Sequence, residues 1–154
     1  MSTFSPLLIP QFVLKDWQAA LDAGEPRALE LAFALNLALP AGQLTELIKI
    51  KKQIPIELDA AMRELLDSAH TRYDAFVDGT CTRIDMLNPS VFAFERNKGD
   101  ERLLIVNNLA RVSQPVKFGS YAGRAGWDLL NRVEFQFPAR AQMEAYEFLW
   151  LLVD

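Results

Sequence analysis

The sequence predicts an α+β protein in which three or four helices pack on a Greek-key-like antiparallel β-sandwich of about seven or eight strands. Over the first 70 residues the apolar positions recur with helical spacing, whereas from about residue 71 they recur every second residue. Polar turns then separate short apolar runs up to the end of the chain. We therefore expect a helical segment over residues 1–70 and a β-sandwich over residues 71–154.

The first two predicted helices are separated by a glycine and a proline. Asp16 is the expected N-cap of a helix that begins at Trp17, and Gly24 is expected to end it. The second helix is expected to begin at Pro26, because the first helical position tolerates proline, and to end before Pro40. It is apolar on nearly all sides, which predicts that it is deeply buried.

Two more helices are predicted before residue 71. The third spans about residues 43–52 and stops near Pro55. The fourth has the clearest amphipathic pattern, and Glu57 and Asp59 near its start suit the positive end of the helix dipole. Its apolar face is formed by residues spaced three or four apart: Leu58, Ala61, Met62, Leu65, Leu66 and Ala69.

A β-hairpin gives the strongest strand signal. Phe92 and Phe94 fall on one face of an extended strand and Val91 and Ala93 on the other, because strand side chains alternate. Residues 97–100 are polar and contain a glycine, which suits a tight turn. The charged residues at this end of the hairpin are expected to be solvated: Glu95, Arg96, Glu101 and Arg102.

The remaining strands follow at short intervals. Residues 103–106 are continuously apolar, as in a strand that is covered on both faces. Pro115 indicates an edge strand or a bulge over residues 114–118, because proline cannot donate a hydrogen bond to a neighbouring strand. The last strand, over residues 146–153, is apolar on both faces and is expected to be central. Further strands are predicted over residues 73–77, 80–87, 127–130 and 133–137.

Composition and charge limit the classes of function. Hydrophobic residues make up 51% and charged residues 23% of the chain, which is ordinary for a globular protein. The net charge of −4 disfavours nucleic-acid binding, which normally needs a basic face. Residues 29–39 form the most apolar segment, which is too short to span a membrane. A single cysteine, Cys81, and the lack of a secretory signal favour a cytoplasmic protein.

Five short motifs resemble, in order and spacing, the C-terminal β-domain of the α-amylase superfamily, above all of trehalose-synthase-like enzymes. They are NPSVFAFER at 88–96, ERLLIVNNL at 101–109, QPV at 114–116, WDLLN at 127–131 and YEFLWLL at 146–152. The resemblance covers roughly residues 62–154. Residues 28–42 are similar to a late helix and turn of the family's catalytic barrel, but the strand that usually follows is missing. The helical half is therefore a barrel remnant, a shortened linker or an unrelated cap.

The resemblance implies an accessory domain in an enzyme that acts on α-glucosides such as trehalose, maltose or α-glucan. Such a domain stabilises the barrel and, in some members, contacts carbohydrate. The parent protein would be a glycoside hydrolase or transglycosylase, whereas this chain alone is not expected to be catalytic and needs no cofactor. The alternative is a free-standing interaction module that uses a degenerate sandwich to dock a partner protein through the helical half, or to form a homo-oligomer.

Three residues suggest chemistry but do not fit a catalytic site. Asp85 lies in a Thr-Arg-Ile-Asp-Met stretch that superficially resembles the family's nucleophile motif, yet Cys81 stands where the motif has glycine. Cys81 itself is expected to be an ordinary strand cysteine. His70 is the only histidine, lacks neighbouring metal ligands at the usual spacing, and is expected to lie at a helix C-terminus. We expect no catalytic residue and no metal site.

Tyr121 and Trp127 are the candidate carbohydrate contacts. They are flanked by Gly119, Gly123 and Gly126, and flat aromatic rings in such a loop can cover an apolar sugar face. The competing interpretation is that Trp127 begins a strand and packs inward.

Overall fold

The computed structural model describes residues 9–48 and 60–154. The helices in this part of the chain are α1 (Gln11–Asp22), α2 (Pro26–Ala38), α3 (Leu44–Leu47), α4 (Ala60–Arg72) and α5 (Ala75–Asp78). The strands are β1 (Thr80–Ile84), β2 (Val91–Lys98), β3 (Glu101–Asn108), β4 (Gln114–Lys117), β5 (Ala125–Asp128), β6 (Val133–Gln136), β7 (Arg140–Met143) and β8 (Phe148–Val153). A short 3-10 helix occupies Gly119–Tyr121. The predicted α+β class, with helices before strands, is confirmed.

Six of these strands form one antiparallel sheet in the order β1-β2-β3-β8-β5-β6, and β4 pairs with β7 in a separate two-stranded sheet. The β2–β3 hairpin has the predicted tight turn, in which Gly99 adopts a φ of 58°. A positive φ at the first loop position is typical of the hairpin turns that match strand twist. Pro115 lies in β4, which has a single neighbour, so the prediction of an edge strand is confirmed.

The large sheet separates two hydrophobic clusters. Phe92, Phe94 and Trp150 belong to the cluster that also contains the helices. Val91 and Ala93 belong to the other cluster, which contains residues of β4 and β7. The predicted alternation along β2 is therefore confirmed. The helices, the six-stranded sheet and the two-stranded sheet form successive layers.

The last strand is central, as its two apolar faces predicted. β8 lies between β3 and β5. Trp150 is fully buried on the helical side, with its ring centroid 4.7 Å from that of Phe76. Leu151 and Val153 point into the opposite cluster.

Helix α2 is buried, as its composition predicted. It begins at Pro26, and Gly24 before it has a φ of 77°, which is the conformation expected for the residue that stops α1. Leu29, Leu31 and Leu35 are buried within the chain itself. No helix in the described part of the chain is long and apolar enough to cross a membrane.

Two element predictions are wrong, and one strand was missed. Asp16 lies inside α1, which begins at Gln11 because the carbonyl of Pro10 accepts the first helical hydrogen bonds. Residues 73–77 are not a strand: α5 buries Ala75 and Phe76, and the backbone N–H of Ala75 donates to the Glu101 carboxylate at 2.9 Å. Strand β7 was not predicted, because only four residues, Arg-Ala-Gln-Met, carry its alternation and only Met143 among them is buried.

The third helix is shorter than predicted. It ends at Leu47, because Ile48 has an extended backbone with a φ of −140°. The rest of that prediction falls on residues 49–59, outside the described part of the chain, as do Glu57, Leu58 and Asp59. Helix α4 buries Leu66 and Ala69 from the predicted apolar face.

The expected solvation of the charged hairpin end is wrong for Arg96. This side chain is only 1% exposed. Its guanidinium donates to the carbonyl oxygens of Ala38 at 2.8 Å, Gly79 at 3.1 Å and Thr80 at 3.2 Å. Two of these carbonyls follow or end helices, where partial negative charge accumulates. Burial is tolerated because the cation replaces its water contacts with these three acceptors.

Glu95 is also buried, on the opposite face of β2. Its carboxylate accepts hydrogen bonds from Arg102 at 2.9 Å, from Asn97 at 3.0 Å and from the hydroxyl of Tyr121. Burial raises the pKa of Glu95, but the hydrogen bonds from Arg102, Tyr121 and Asn97 outweigh it, so the pKa is lowered overall. This network ties the 3-10 helix to the hairpin.

Replacing Arg96 by methionine should destabilise the protein by roughly 3 kcal/mol, because buried carbonyls lose a charged donor. The stability of Arg96→Lys should lie between those of the wild type and Arg96→Met, since one ammonium cannot reproduce the geometry of a guanidinium. Urea unfolding measures these differences. The exposed Arg111→Met is the control and should change stability by no more than about 0.5 kcal/mol. A loss for Arg96→Met equal to that of the control would contradict the role assigned to Arg96.

Replacing Tyr121 by phenylalanine should make the free energy of unfolding depend less on pH in the acidic range. The lowered pKa of Glu95 contributes stability that is present above its unfolded pKa and is lost as pH falls through the folded value. Removing the Tyr121 hydroxyl raises the folded pKa, so the variant should be less stable than the wild type at pH 7, with a smaller difference at pH 3. Urea unfolding at both pH values tests this, with Tyr73→Phe as the control. A difference that is equal at the two pH values would refute it.

Candidate functional site

Helix α4 and strand β5 enclose a cleft of about 240 Å³. The polar and aromatic residues that line it are Ser68, Arg72 and Tyr73 from the helical side, and Trp127 and Arg132 from the side of the sheet. Apolar residues, among them Leu129, complete the walls. The cleft therefore combines an aromatic ring, hydroxyl groups and two cations.

The position of α4 follows from its sequence pattern. Leu66 and Ala69 are buried against the rest of the core, which turns Ser68 and Arg72 towards the rim of the cleft. Arg72 lies in the last turn, where a positive charge suits the helix dipole. Its guanidinium carbon lies 5.9 Å from the centre of the Tyr73 ring.

Trp127 is held by the sheet but is not covered by it. It pairs with Leu152 of β8 and with Glu134 of β6, and 36% of its surface is exposed. At the preceding residue, Gly126, an added Cβ would collide with the carbonyl of Leu152. The glycine thus permits β5 to approach β8 closely and fixes the base from which Trp127 projects.

A buried carboxylate shapes the loop after β5. Asp128 accepts hydrogen bonds from the backbone N–H groups of Leu130 and Asn131, both at 3.0 Å, and from the Asn131 side chain at 2.8 Å. Arg132 then adopts a left-handed backbone with a φ of 56°, and its N–H donates to the Asp128 carbonyl at 2.9 Å. This uncommon conformation places Arg132 at the cleft.

Tyr121 does not share this surface with Trp127. It is buried in the cluster on the other side of the large sheet, where its ring stacks on Phe137 with centroids 5.7 Å apart. Its hydroxyl donates to Glu95. Burial and the Glu95 hydrogen bond raise the pKa of Tyr121. The structure therefore separates the two predicted carbohydrate contacts, and contact of either with sugar stays a prediction.

Asp85, Cys81 and His70, whose side chains are of types that can take part in catalysis, are not in the lining of the cleft. Asp85 is exposed after β1, where its carboxylate accepts a hydrogen bond from the N–H of Leu87 at 2.8 Å. Cys81 is buried, and burial raises the pKa of its thiol to about 11. It is therefore a neutral thiol at pH 7.

His70 lies in the last turn of α4, as predicted. Its ring centroid is 5.7 Å from that of Phe76. Burial lowers the pKa of His70, although Asp67 opposes the effect. Across residues 9–48 and 60–154, no group of three or more histidines, cysteines and carboxylates is arranged to hold a metal ion.

The sequence pointed to Trp127 but not to the residues that line the cleft beside it. Arg72 comes after the apolar positions of an amphipathic helix, and Arg132 comes after the end of a predicted strand. Neither position was therefore predicted to be a site residue. The only available signal was the WDLLN motif, which contains both Trp127 and the loop-shaping Asp128. Their convergence depends on long-range packing of α4 on β5, which local patterns do not specify.

Comparison with known proteins identifies the strand-rich part of the chain. Residues 83–150 match the family model described as the maltogenic amylase C-terminal domain. The chain is 32% identical over 98 residues to the trehalose synthase/amylase TreS of Mycolicibacterium smegmatis, covering 54% of the chain and 16% of that protein. It is 33% identical over 87 residues to the trehalose synthase of Pimelobacter sp., covering 50% of the chain and 15% of that protein.

Solved amylase structures share the fold. A variant of AmyP in complex with maltotriose aligns with a TM-score of 0.62 at 13% identity, covering 83% of this chain and 35% of that one. The region from the start of β1 to the end of β8 is only about half of the chain, so the alignment also includes helices. The chain spans less than a fifth of the length of the two trehalose synthases. Residues 83–150 of the chain therefore resemble the maltogenic amylase C-terminal domain, which confirms the family resemblance that the motifs implied.

Proposed function

We propose that this chain is an accessory C-terminal part of an α-amylase-superfamily enzyme that acts on α-glucosides in the cytoplasm. The match of residues 83–150 to the maltogenic amylase C-terminal domain carries this proposal. Interconversion of trehalose and maltose is the favoured reaction, because two relatives more than 30% identical are trehalose synthases. The chemistry itself would reside in a catalytic barrel rather than in these strands.

The helical half supplies the contact with that barrel in this proposal. It forms one layer of the molecule and covers one face of the large sheet. Phe12 on α1 is 60% exposed, which leaves a large apolar side chain available to a neighbouring domain. The division into a helical segment up to residue 70 and a β-domain after it is part of the same proposal. Stabilisation of the barrel would follow from burying this layer.

Carbohydrate contact is assigned to the cleft between α4 and β5. Trp127 offers a half-exposed ring of the kind that packs against the apolar face of a sugar. Ser68 and Tyr73 bring hydroxyl groups that can hydrogen-bond to sugar hydroxyls. An aromatic surface with a few convergent polar groups is the usual composition of a small-molecule site.

Isothermal titration of the purified chain with maltose, trehalose and maltoheptaose tests this assignment. We expect binding with a dissociation constant of about 1 mM or tighter for at least one sugar, and loss of that binding in Trp127→Ala. Phe12→Ala is the matched control, because it removes another exposed aromatic ring that does not line the cleft. The chain alone should leave all three sugars unconverted.

Two results would contradict the proposal. Absence of heat with every sugar would remove the carbohydrate contact from this cleft. Turnover of maltose or trehalose by the isolated chain would show that it is catalytic and not accessory.

A further inference from the structure

Building on the proposed carbohydrate contact, we propose that the cleft between α4 and β5 binds a phosphorylated hexose in preference to a neutral sugar. Arg72 on α4 and Arg132 on the loop after β5 both line the cleft, and Trp127 lies in the same lining. The arrangement supplies one surface for a sugar ring and two cations for an anionic group.

Neither of the two arginines forms an ion pair with a carboxylate within 4 Å in the described part of the chain, residues 9–48 and 60–154, whereas Arg102 pairs with Glu95. The lining of the cleft contains no acidic residue. Glu134 stands opposite Trp127 in the sheet but outside this lining. The charge of the cleft is therefore positive, in a chain whose net charge is −4.

The loop that carries Arg132 is held in one conformation by hydrogen bonds. Its left-handed backbone, with a φ of 56°, is uncommon for a residue with a long side chain. The buried carboxylate of Asp128 holds this turn through its hydrogen bonds to Leu130 and Asn131. Non-glycine residues fixed in such conformations cluster at ligand clamps. The geometry thus positions one cation beside the tryptophan before any ligand arrives.

The size of the cleft suits a single sugar ring, either alone or as one unit of a longer sugar. A volume of about 240 Å³ lies below the range of about 300–1,000 Å³ that drug-sized ligands occupy. A guanidinium presents a planar fork of donors that matches two phosphate oxygens, and two arginines in one lining can engage the same group. A hexose phosphate fills both requirements, with its ring on Trp127 and its phosphate between Arg72 and Arg132.

Titration with α-glucose 1-phosphate, glucose and inorganic phosphate tests this inference at low ionic strength. We expect the sugar phosphate to bind at least about tenfold more tightly than either glucose or phosphate alone, because charge-assisted hydrogen bonds add to ring stacking. Arg72→Gln and Arg132→Asn should each remove most of this advantage, because they should weaken binding of the sugar phosphate far more than binding of glucose. Asparagine tolerates the left-handed backbone at position 132, so the fold is preserved.

Arg140→Gln is the control, because this arginine lies on β7, in the sheet that packs against the other face of the large sheet. It should bind the sugar phosphate as the wild type does. If glucose and α-glucose 1-phosphate bind equally well and both need Trp127, the preference for phosphate is wrong and the proposed carbohydrate contact stands. If inorganic phosphate binds as tightly as the sugar phosphate, the cleft is a plain anion site and the inference is overturned. Binding of the sugar phosphate without binding of maltose or trehalose would support the inference and refute contact with neutral α-glucosides.

Discussion

The buried guanidinium of Arg96 is the interaction on which the arrangement of helices and sheet depends. It projects from β2 to the helical side of the sheet and reaches the carbonyls of Ala38, Gly79 and Thr80. These acceptors come from the end of α2, the end of α5 and the start of β1, so one side chain joins three elements. A buried cation is stable only while these acceptors stay in place, because an unpaired charge in the core is costly. The cation therefore makes the helical layer and the sheet mutually dependent.

The cleft lies where the helical layer and the sheet meet. Trp127 and Arg132 belong to the sheet and its loop, whereas Ser68 and Arg72 belong to a helix, and only fixed packing between the layers brings them together. On the opposite face, the Glu95 network fixes the 3-10 helix that contains Tyr121. The large sheet thus supplies the base of the cleft, and the polar residues that line it lie where the helical layer meets the sheet.

The sequence predicted those features that depend on local periodicity. The two-residue alternation in β2 and β8 predicted both faces of the sheet, and the five motifs predicted the resemblance to amylase C-terminal domains. It did not predict the burial of Glu95 and Arg96, because charged residues at a hairpin end are usually solvated and their partners lie far away in sequence. Residues 73–77 appeared strand-like because they are aromatic and apolar, yet their burial beside Trp150 favours a helical turn. The neighbours of Trp127 escaped prediction for the same reason: tertiary packing, rather than local pattern, places them.

Native-state hydrogen exchange at low denaturant concentration tests the central claim most directly, because it reports the opening free energy of each element separately. If Arg96 unites the layers, the amides of Leu35 and Leu39 in and after α2 should open with the same free energy as those of Leu104 and Leu151 in the sheet. If the amides of α2 exchange through an opening of much lower free energy while the sheet stays protected, the helical layer is an independent unit. That result would contradict the account given for both Arg96 and the cleft.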